Sequence, residues 1–493
     1  MGIIGFIFLS SGLFLGWSLG SQDASNVFGT AVATRMVKFK TAALVCSVFI
    51  TLGAVISGVG AADTLGSLGE VNAIGGAFVT SFSAAFTASL MSKTGMTISV
   101  SQAVVGAIIG WNWYTHSVTD TSSLVKMAST WVACPLISGF LAVPLFAFFK
   151  KLSEKASLSL LQRDSLLRLG MIVTGAFGSY ALGANNMANV VGVFIPVVPF
   201  DDFTVFGYQV TAVHQLFFVG SMAVAVGIYT YSYKVMMTVG KGVIPMSPFA
   251  AWVVVLCQGV VLFLFASEDL EYFLASHGLP TLPLVPVSST QALVGAVLGI
   301  GLYKGGKNIN WNVLFKIIAG WVIAPVMTAC FCFFFLFFME NVFKQPVFIN
   351  KTYVLSQTAF PKINDLGVPA AKLRGLCGIK YKTGTDFAAA LKRKVPNISN
   401  RQELEILKYA ELHKIHIDAA KIEKLPKNKF TQTELDDIVK LDGRKFKYRW
   451  ELEQALTTVN PDWVFLPETV LNKRINNKIK NQMQLIFTVF TDS

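Results

Sequence analysis

Two clusters of polar residues interrupt otherwise apolar sequence and could bind ions. One cluster contains Gln22, Asp23, Ser25 and Asn26, and the other contains Asn185, Asn186 and Asn189. Asp23 is the only acid in either cluster. An ionisable residue inside an apolar segment marks a functional site by default. Because a carboxylate beside hydroxyl and amide oxygens suits a hard cation, we expect Asp23 to bind Na⁺ or a proton.

Two further clusters are rich in hydroxyl groups and could bind an anion. They consist of Ser99, Ser101 and Gln102, and of Ser288, Ser289, Thr290 and Gln291, and each directly precedes a run of small residues. Ser and Thr favour helix N-caps, where the helix dipole and unpaired N–H groups attract negative charge. An oxyanion could be held there without a cationic side chain. The alternative for either cluster alone is hydroxyl bonding to its own helix.

All four clusters belong to an internal repeat. Residues 19–29 recur as 182–192 at an offset of 163, residues 98–110 as 287–299 at an offset of 189, and residues 131–135 as 321–325 at an offset of 190. Three matching blocks in the same order indicate two related halves. For the Asp23 cluster alone, an ordinary interfacial turn would be an equal alternative, but its recurrence favours a functional role.

The composition predicts that these clusters lie in a membrane. Of the 493 residues, 53% are hydrophobic and 14% are charged, whereas ordinary soluble domains have about 25% charged residues. Apolar segments near the length of about 20 residues that a span needs are 2–20, 41–60, 73–91, 95–112, 125–149, 169–195, 211–233, 249–267, 287–303 and 313–339. The sequence therefore predicts an all-α polytopic membrane protein.

The number of spans and the loop charges predict the topology. With these spans, the basic loops fall on one side and the acidic loops on the other, so the positive-inside rule places the N-terminus outside. Five spans in each half turn the second copy upside down, as in secondary transporters with a midplane site between the halves. We therefore expect two inverted-topology repeats with broken or re-entrant helices at the midplane. The glycine-flanked clusters around Asp23 and Asn186 are expected to break their helices.

Four regions follow from this reading. They are a first transmembrane repeat at residues 1–150, a basic connecting loop at 151–168, a second, inverted transmembrane repeat at 169–344, and a small, basic, soluble and mostly helical C-terminal domain at 345–493. The net charge is +4 up to residue 344 and +9 beyond it. Because ten spans are an even number, the C-terminal domain is expected outside, on the same side as the N-terminus.

The C-terminal region carries local helix signals and many basic residues. Thr431, with Glu434 three residues later, predicts a helix N-terminus. The Lys and Arg residues between 421 and 449 could bind acidic lipid headgroups or nucleic acid. A solvated helical surface is the preferred interpretation, and nucleic-acid binding is not expected.

Together these motifs resemble the inorganic phosphate transporter (PiT) family of sodium- or proton-coupled phosphate permeases. That family has two inverted copies of a Gly-Ala-Asn-Asp-Val-Ala-Asn motif, each followed by a Val-Ser-Thr-Thr-His type motif and a Gly-Ala-x-x-Gly helix. Here residues 20–26 and 183–189 match the first motif, and residues 98–102 and 287–291 match the second. The resemblance is expected to cover residues 1 to about 340 and not the C-terminal region.

The resemblance implies an anion site beside a cation site. The anion-binding residues would be Asn26, Ser99, Ser101, Gln102, Asn185, Asn189, Ser288, Ser289, Thr290 and Gln291, while Asp23, Asn26 and Asn186 would bind the coupling Na⁺ or H⁺. No catalytic residue and no covalent cofactor are implied. Two departures matter: Asn186 replaces the second acid of the family pattern, and Gln102 and Gln291 replace its two histidines.

The expected function is secondary active uptake of inorganic phosphate, coupled to Na⁺ or H⁺, by alternating access. One alternative is a sulfate or other oxyanion permease of the same family, since sulfate needs no acidic partner. Another is a non-transporting membrane anion receptor or sensor that acts through the C-terminal domain. An enzyme is not expected, because no nucleophile–base pair, metal set or phosphate-cradling loop is found. We expect a multi-pass protein of the plasma (bacterial inner) membrane, with lipid and further copies of the chain as partners.

Overall fold

The described chain is mainly helical and divides into two compact units. A computed structural model describes residues 3–93, 98–198, 200, 202–205, 208–239, 246–306 and 309–491. The first unit comprises Met1–Tyr114, Thr121–Leu270 and Leu282–Ile349, and the second comprises Thr115–Asp120, Glu271–Thr281 and Asn350–Ser493. Each unit has apolar core clusters of its own.

Helices of very different lengths make up the first part of the chain. They are α1 (Ile3–Ala33), α2 (Phe39–Ser57), α3 (Val59–Leu68), α4 (Ile74–Lys93), α5 (Val100–Thr115), α6 (Thr121–Lys155), α7 (Leu160–Val191), α8 (Ala212–Gly227), α9 (Tyr233–Val239), α10 (Pro248–Leu264), α11 (Glu268–Ser276), α12 (Ser289–Tyr303) and α13 (Trp311–Asn341). A π-helical turn, Ile228–Ser232, joins α8 to α9. A short antiparallel hairpin of β1 (Phe203–Val205) and β2 (Tyr208–Val210) precedes α8.

Several of these helices are suited to cross a membrane. Among the described residues, six segments are long and apolar enough: Phe39–Ser57, Ile74–Lys93, Thr121–Lys155, Leu160–Val197, Ala212–Met237 and Trp311–Asn341. The pair α10 and α11, bent by 73°, makes a seventh if it is counted as one span. The helical, multi-pass membrane architecture predicted from the sequence is therefore confirmed.

Two of the expected spans, 95–112 and 287–303, contain helices shorter than a full crossing. α5 has 16 residues and α12 has 15, so they extend about 24 Å and 22 Å in a hydrocarbon core of about 30 Å. Each helix begins at a hydroxyl cap, where Ser99 Oγ and Ser288 Oγ accept hydrogen bonds of 3.3 Å from the backbone N–H three residues on. These caps start the helices at Val100 and Ser289, inside the segments that were expected to span.

The polar clusters do not break their helices, which corrects the sequence-based expectation. α1 runs without interruption through Asp23, and α7 runs through Asn186. The helices stay intact because the polar groups find partners without opening the backbone. The Ser21 and Ser25 hydroxyls donate to carbonyl groups of the preceding turn, and the asparagines bond to other segments.

Close backbone contacts hold the two short helices in place. A Cβ atom added at Gly295 of α12 would lie 2.2 Å from the Pro135 carbonyl oxygen of α6. One added at Gly106 of α5 would lie 2.1 Å from the Pro325 carbonyl oxygen of α13. Both glycines and both prolines are equivalent positions of the repeat. The same contact therefore forms twice, each time between residues of different halves, because small residues let backbones approach closely.

The second unit is built from short elements. It contains α14 (Phe360–Asp365), α15 (Gly384–Lys394), α16 (Asn400–Ala410), α17 (Gln432–Val439), α18 (Arg449–Val459) and α19 (Lys473–Phe490), with antiparallel pairs of β3 (Tyr353–Val354) with β4 (Lys380–Tyr381) and of β5 (Ile415–His416) with β6 (Lys445–Phe446). Thr431 and Glu434 form a capping box at the start of α17, as predicted. One core cluster surrounds Phe387, and the other surrounds Trp463.

Two segments from earlier in the chain, Thr115–Asp120 and Glu271–Thr281, fold with these C-terminal residues. The Asn400 side chain donates to the Thr119 carbonyl oxygen at 3.3 Å. The Lys473 ammonium lies 3.0 Å from a carboxylate oxygen of Glu271. The second unit is therefore not one continuous stretch of sequence, and its boundaries differ from a simple division at residue 345.

Replacing Gly295 by alanine should destabilise the first unit by about 1–3 kcal/mol, because the new methyl group overlaps backbone that cannot rotate away. Gly66→Ala is the matched control, since a Cβ atom there meets nothing within 4 Å among the described residues. Thermal unfolding in detergent should show a lower midpoint for Gly295→Ala and no loss for Gly66→Ala. An unchanged midpoint in Gly295→Ala would contradict this packing.

Candidate functional site

The polar residues predicted from the sequence lie together inside the first unit. Those on α1 and α7 meet those at the N-terminal ends of α5 and α12. Each is at most 8% exposed: Asp23, Asn26, Ser99, Ser101, Gln102, Asn185, Asn186, Asn189, Ser288, Ser289, Thr290 and Gln291. Asp23 is the only acid among them, and none is basic. The site is therefore a buried, almost neutral group of hydrogen-bonding side chains.

Asp23 contacts amide groups from both halves of the repeat. Asn186 Nδ2 donates to Asp23 Oδ2 at 3.1 Å, and Asn26 Nδ2 lies 3.4 Å from Asp23 Oδ1. Asp23 and Asn186 are equivalent positions of the repeat. Two acids at these positions would place carboxylates against each other, and one of them would then resist ionisation. The amide of Asn186 removes this repulsion and leaves one carboxylate that can bind a cation.

Two asparagines pair crosswise with the hydroxyl clusters. Asn26 Nδ2 on α1 donates to Ser289 Oγ at 3.1 Å and to Thr290 Oγ1 at 3.3 Å, both on α12. Asn189 Nδ2 on α7 donates to Ser101 Oγ on α5 at 2.8 Å. Asn26 and Asn189 are equivalent in the repeat, as are Thr290 and Ser101. Each half therefore supplies the partner of the other half's hydroxyl cluster.

Asn185 binds backbone rather than another polar side chain. Its Nδ2 atom donates to the Val285 carbonyl oxygen at 3.3 Å, and its Oδ1 atom accepts from the Val287 N–H at 2.8 Å. Both of its ends are used to fix the chain just before α12. In this conformation Asn185 positions the hydroxyl cluster that follows at the start of α12.

Ser138 on α6 also supports α12, and sequence reasoning missed it. Its hydroxyl donates to the Ala292 carbonyl oxygen at 2.6 Å. Ser138 is fully buried. In the sequence, this role could have been suspected only because Ser138 is a hydroxyl residue inside an apolar segment, three positions after Pro135.

The N-terminal ends of α5 and α12 are suited to hold an oxyanion. Ser99 and Ser288 cap these helices, and Ser101, Ser289 and Thr290 add hydroxyl groups in the first turn. Hydroxyls, backbone N–H groups and the positive end of the helix dipole attract an anion without a formal positive charge.

Three carbonyl oxygens in the site have no donor. Gln102 Oε1, Gln291 Oε1 and Asn189 Oδ1 are buried and accept no hydrogen bond from any residue that the structure describes. Buried polar groups are nearly always paired with protein, water or a ligand. These oxygens can therefore accept a hydrogen bond from a ligand that carries a proton, or bind a cation.

Long apolar helices around a buried polar centre define the class of polytopic membrane transport proteins. The sequence profile of the phosphate transporter family matches residues 19–271 and 279–441. The chain belongs to this family, whose members are transporters and not enzymes. The match continues to residue 441, which corrects the expectation that the resemblance ends near residue 340.

Curated relatives that are named as permeases align with this chain over most of their own length. A protein of Methanocaldococcus jannaschii named as a phosphate permease is 24% identical over 64% of this chain and 91% of the relative. A phosphate permease by name from Haemophilus influenzae is 24% identical over 67% of this chain and 96% of the relative. The sulfate permease CysP of Bacillus subtilis is 28% identical over 64% and 82%. The relatives thus carry the names of permeases for two different tetrahedral oxyanions.

A solved structure shares the fold. The sodium-dependent phosphate transporter superposes with a TM-score of 0.54 and 19% identity, and the match covers 69% of this chain and all of the other. At this identity the likeness concerns the fold.

Asn185→Ala should lower the stability of the protein by about 1–3 kcal/mol, because a buried backbone N–H and a carbonyl oxygen lose their partners. Its repeat-equivalent, Gln22, is the control, since that side chain donates a local hydrogen bond of 3.3 Å to the Ser18 hydroxyl. The unfolding midpoint in detergent should fall for Asn185→Ala and change less for Gln22→Ala. If both variants lose the same amount, Asn185 does not have this special role.

Proposed function

We propose that this protein takes up inorganic phosphate across a membrane together with Na⁺ or H⁺, by alternating access to the buried site. The observation that carries the proposal is the pairing of two capped helix N-termini with a single carboxylate. The N-termini offer neutral donors for an oxyanion, and Asp23 offers a negative charge for a cation. Binding both ions together keeps the net charge brought into the membrane small, which favours coupled movement.

The crosswise contacts support two inverted repeats. Asn26 with Thr290 and Asn189 with Ser101 are the same pair made twice. A residue that contacts its own repeat-equivalent, as Asp23 contacts Asn186, lies close to an axis that exchanges the two halves. An axis in the membrane plane would make each half the inverted copy of the other. Rocking of one half against the other would then expose the site to one side at a time.

The unpaired acceptors favour phosphate over sulfate. Near neutral pH phosphate carries at least one O–H group that can donate to Gln102 Oε1, Gln291 Oε1 or Asn189 Oδ1. Sulfate has no proton to donate, so an oxygen that a phosphate O–H would pair with stays unpaired, at a cost of about 1–3 kcal/mol. Sulfate remains the second candidate on two observations: the neutral Asn186 beside Asp23, and the relative named as a sulfate permease.

For the coupling ion, we propose Asp23 with Asn26 and Asn186 as the binding residues. Their side chains provide one charged and two neutral groups with oxygen atoms, which suits Na⁺. Asp23 could alternatively take up a proton, since it is the single titratable group of the site. The Gln residues at 102 and 291 have no proton to exchange at any physiological pH.

For the topology, we propose that the N-terminus and a soluble domain formed largely by residues 345–493 lie outside, in the plasma membrane of a bacterium. Within the first unit, the Asn72 side chain exchanges hydrogen bonds of 3.0 Å and 2.9 Å with the Ile349 backbone. The start of α4 and the exit of the chain towards residue 350 therefore lie at one end of the first unit. The loop that contains Glu70 also lies at this end, and the positive-inside rule predicts that the acidic loops are outside.

Uptake into proteoliposomes tests the function directly. We expect labelled phosphate to accumulate when an inward Na⁺ or H⁺ gradient is imposed, and labelled sulfate to accumulate less. Imposing the two gradients separately identifies the coupling ion. Uptake of neither anion under either gradient would overturn the transport proposal, and faster uptake of sulfate would overturn the choice of phosphate.

Asp23→Asn should reduce gradient-driven phosphate uptake about tenfold or more, because a bond to a charged group contributes about 1.5–3 kcal/mol. The substitution keeps the shape of the side chain and removes its charge. Asp164→Asn is the matched control, since Asp164 forms an exposed ion pair with Arg168 at 2.7 Å. Unchanged initial rates in Asp23→Asn would show that this carboxylate does not bind the coupling ion.

A further inference from the structure

Gln258 on α10 is a buried amide that the motifs did not identify. It is 1% exposed, and neither its Oε1 nor its Nε2 atom has a hydrogen-bond partner within the described part of the chain. The rest of α10, from Pro248 to Leu264, is almost entirely apolar. A leucine at this position would satisfy the packing without leaving two polar atoms unpaired, so packing alone does not account for a glutamine here.

Its neighbours on α10 show which way Gln258 faces. Val255 and Gly259 pack against Gly178 of α7, while the Cys257 thiol donates to the Ser138 carbonyl oxygen of α6 at 3.2 Å. Successive helical residues are rotated by about 100°. Gln258 therefore lies on the buried side of α10 between the α7-facing and α6-facing sides. The opposite side carries half-buried residues, Leu256 and Val260.

The other two helices that pack against α10, α1 and α12, both carry residues of the site. α10 packs against α1 and α12 as well as against α6 and α7. α1 carries Asp23 and Asn26, and α12 carries Ser289 and Thr290. The side of α10 that carries Gln258 is therefore directed towards α1 and α12, whose polar side chains meet in the site.

The depth of Gln258 along the helix also matches the site. Gly178, which contacts Val255, also lies against Val27 of α1, the residue after Asn26. Ser138, which contacts Cys257, donates to the carbonyl oxygen of Ala292, two residues beyond Thr290. At the level of Gln258, α1 and α12 therefore present residues within one turn of the Asn26–Thr290 hydrogen bond.

We propose that Gln258 is a further ligand-binding residue that contacts the transported oxyanion from α10. Its Nε2 donates a hydrogen bond to an oxygen of the anion, and its Oε1 accepts one from the hydroxyl of a protonated anion. This role accounts for a buried amide whose two ends have no hydrogen-bond partner among the described residues. The assignment rests on the proposed function, because it concerns the same site and the same class of tetrahedral oxyanion.

The test compares Gln258→Leu with wild-type protein, using labelled phosphate in proteoliposomes and thermal unfolding in detergent. The KM for phosphate should rise about tenfold or more, since a hydrogen bond to a charged ligand contributes enough free energy for that factor. The unfolding midpoint without phosphate should stay the same or rise, because an unpaired buried amide has been removed. The increase in midpoint on adding phosphate should shrink.

Two matched variants make the result specific. Gln258→Met keeps the length of the side chain and should give the same result if Gln258→Leu folds poorly. Val260→Leu changes the other side of the same helix and should leave KM unchanged. The proposal is overturned if Gln258→Leu and Gln258→Met both keep the wild-type KM and the wild-type rise in unfolding midpoint on adding phosphate. It is also overturned if both variants have a lower unfolding midpoint without phosphate, because that would show a structural role. A wild-type protein that neither takes up phosphate nor is stabilised by it overturns the proposed function itself.

Discussion

Hydrogen bonding of buried amide side chains across the two repeats is the interaction on which the rest of the structure depends. Asn26 reaches the start of α12, Asn189 reaches the start of α5, and Asn186 reaches Asp23. In a hydrocarbon environment an unpaired polar group costs several kcal/mol, so these pairs largely dictate how the helices are arranged. They also place hydroxyl groups and one carboxylate in the same small volume, which is the requirement for binding two ions together.

The same arrangement requires short helices and close backbone contacts. Ser99 and Ser288 cap the first turns of α5 and α12, and the two helices approach α13 and α6 closely because both contacts use glycine. A side chain at Gly295 would push α12 away from α6 and move Thr290 away from Asn26. The glycines therefore affect the site although they carry no polar group.

Not every polar group in the site is satisfied, and this incompleteness is informative. The amide oxygens of Gln102 and Gln291, at equivalent positions of the repeat, are buried and have no donor in the part of the chain that the structure describes. Together with Gln258 they form a set of unpaired groups that an oxyanion carrying a proton can satisfy. Under the proposed function, binding of such an anion would recover the stability lost to these unpaired groups, which is a common compromise at functional sites.

Local chemistry determined what could be foreseen from the sequence, and long-range pairing determined the rest. The helix caps at Ser99, Ser288 and Thr431 were predictable because a cap involves residues three positions apart, and the repeat was visible because it preserves those motifs. The uninterrupted course of α1 and α7 was not predictable, since it depends on hydrogen-bond partners that lie 88 to 264 residues away. The use of Asn185 to hold the chain before α12, and the burial of Gln258 without a partner among the described residues, likewise follow only from tertiary packing. A sequence shows which side chains need partners, but the folded chain decides which of them find one.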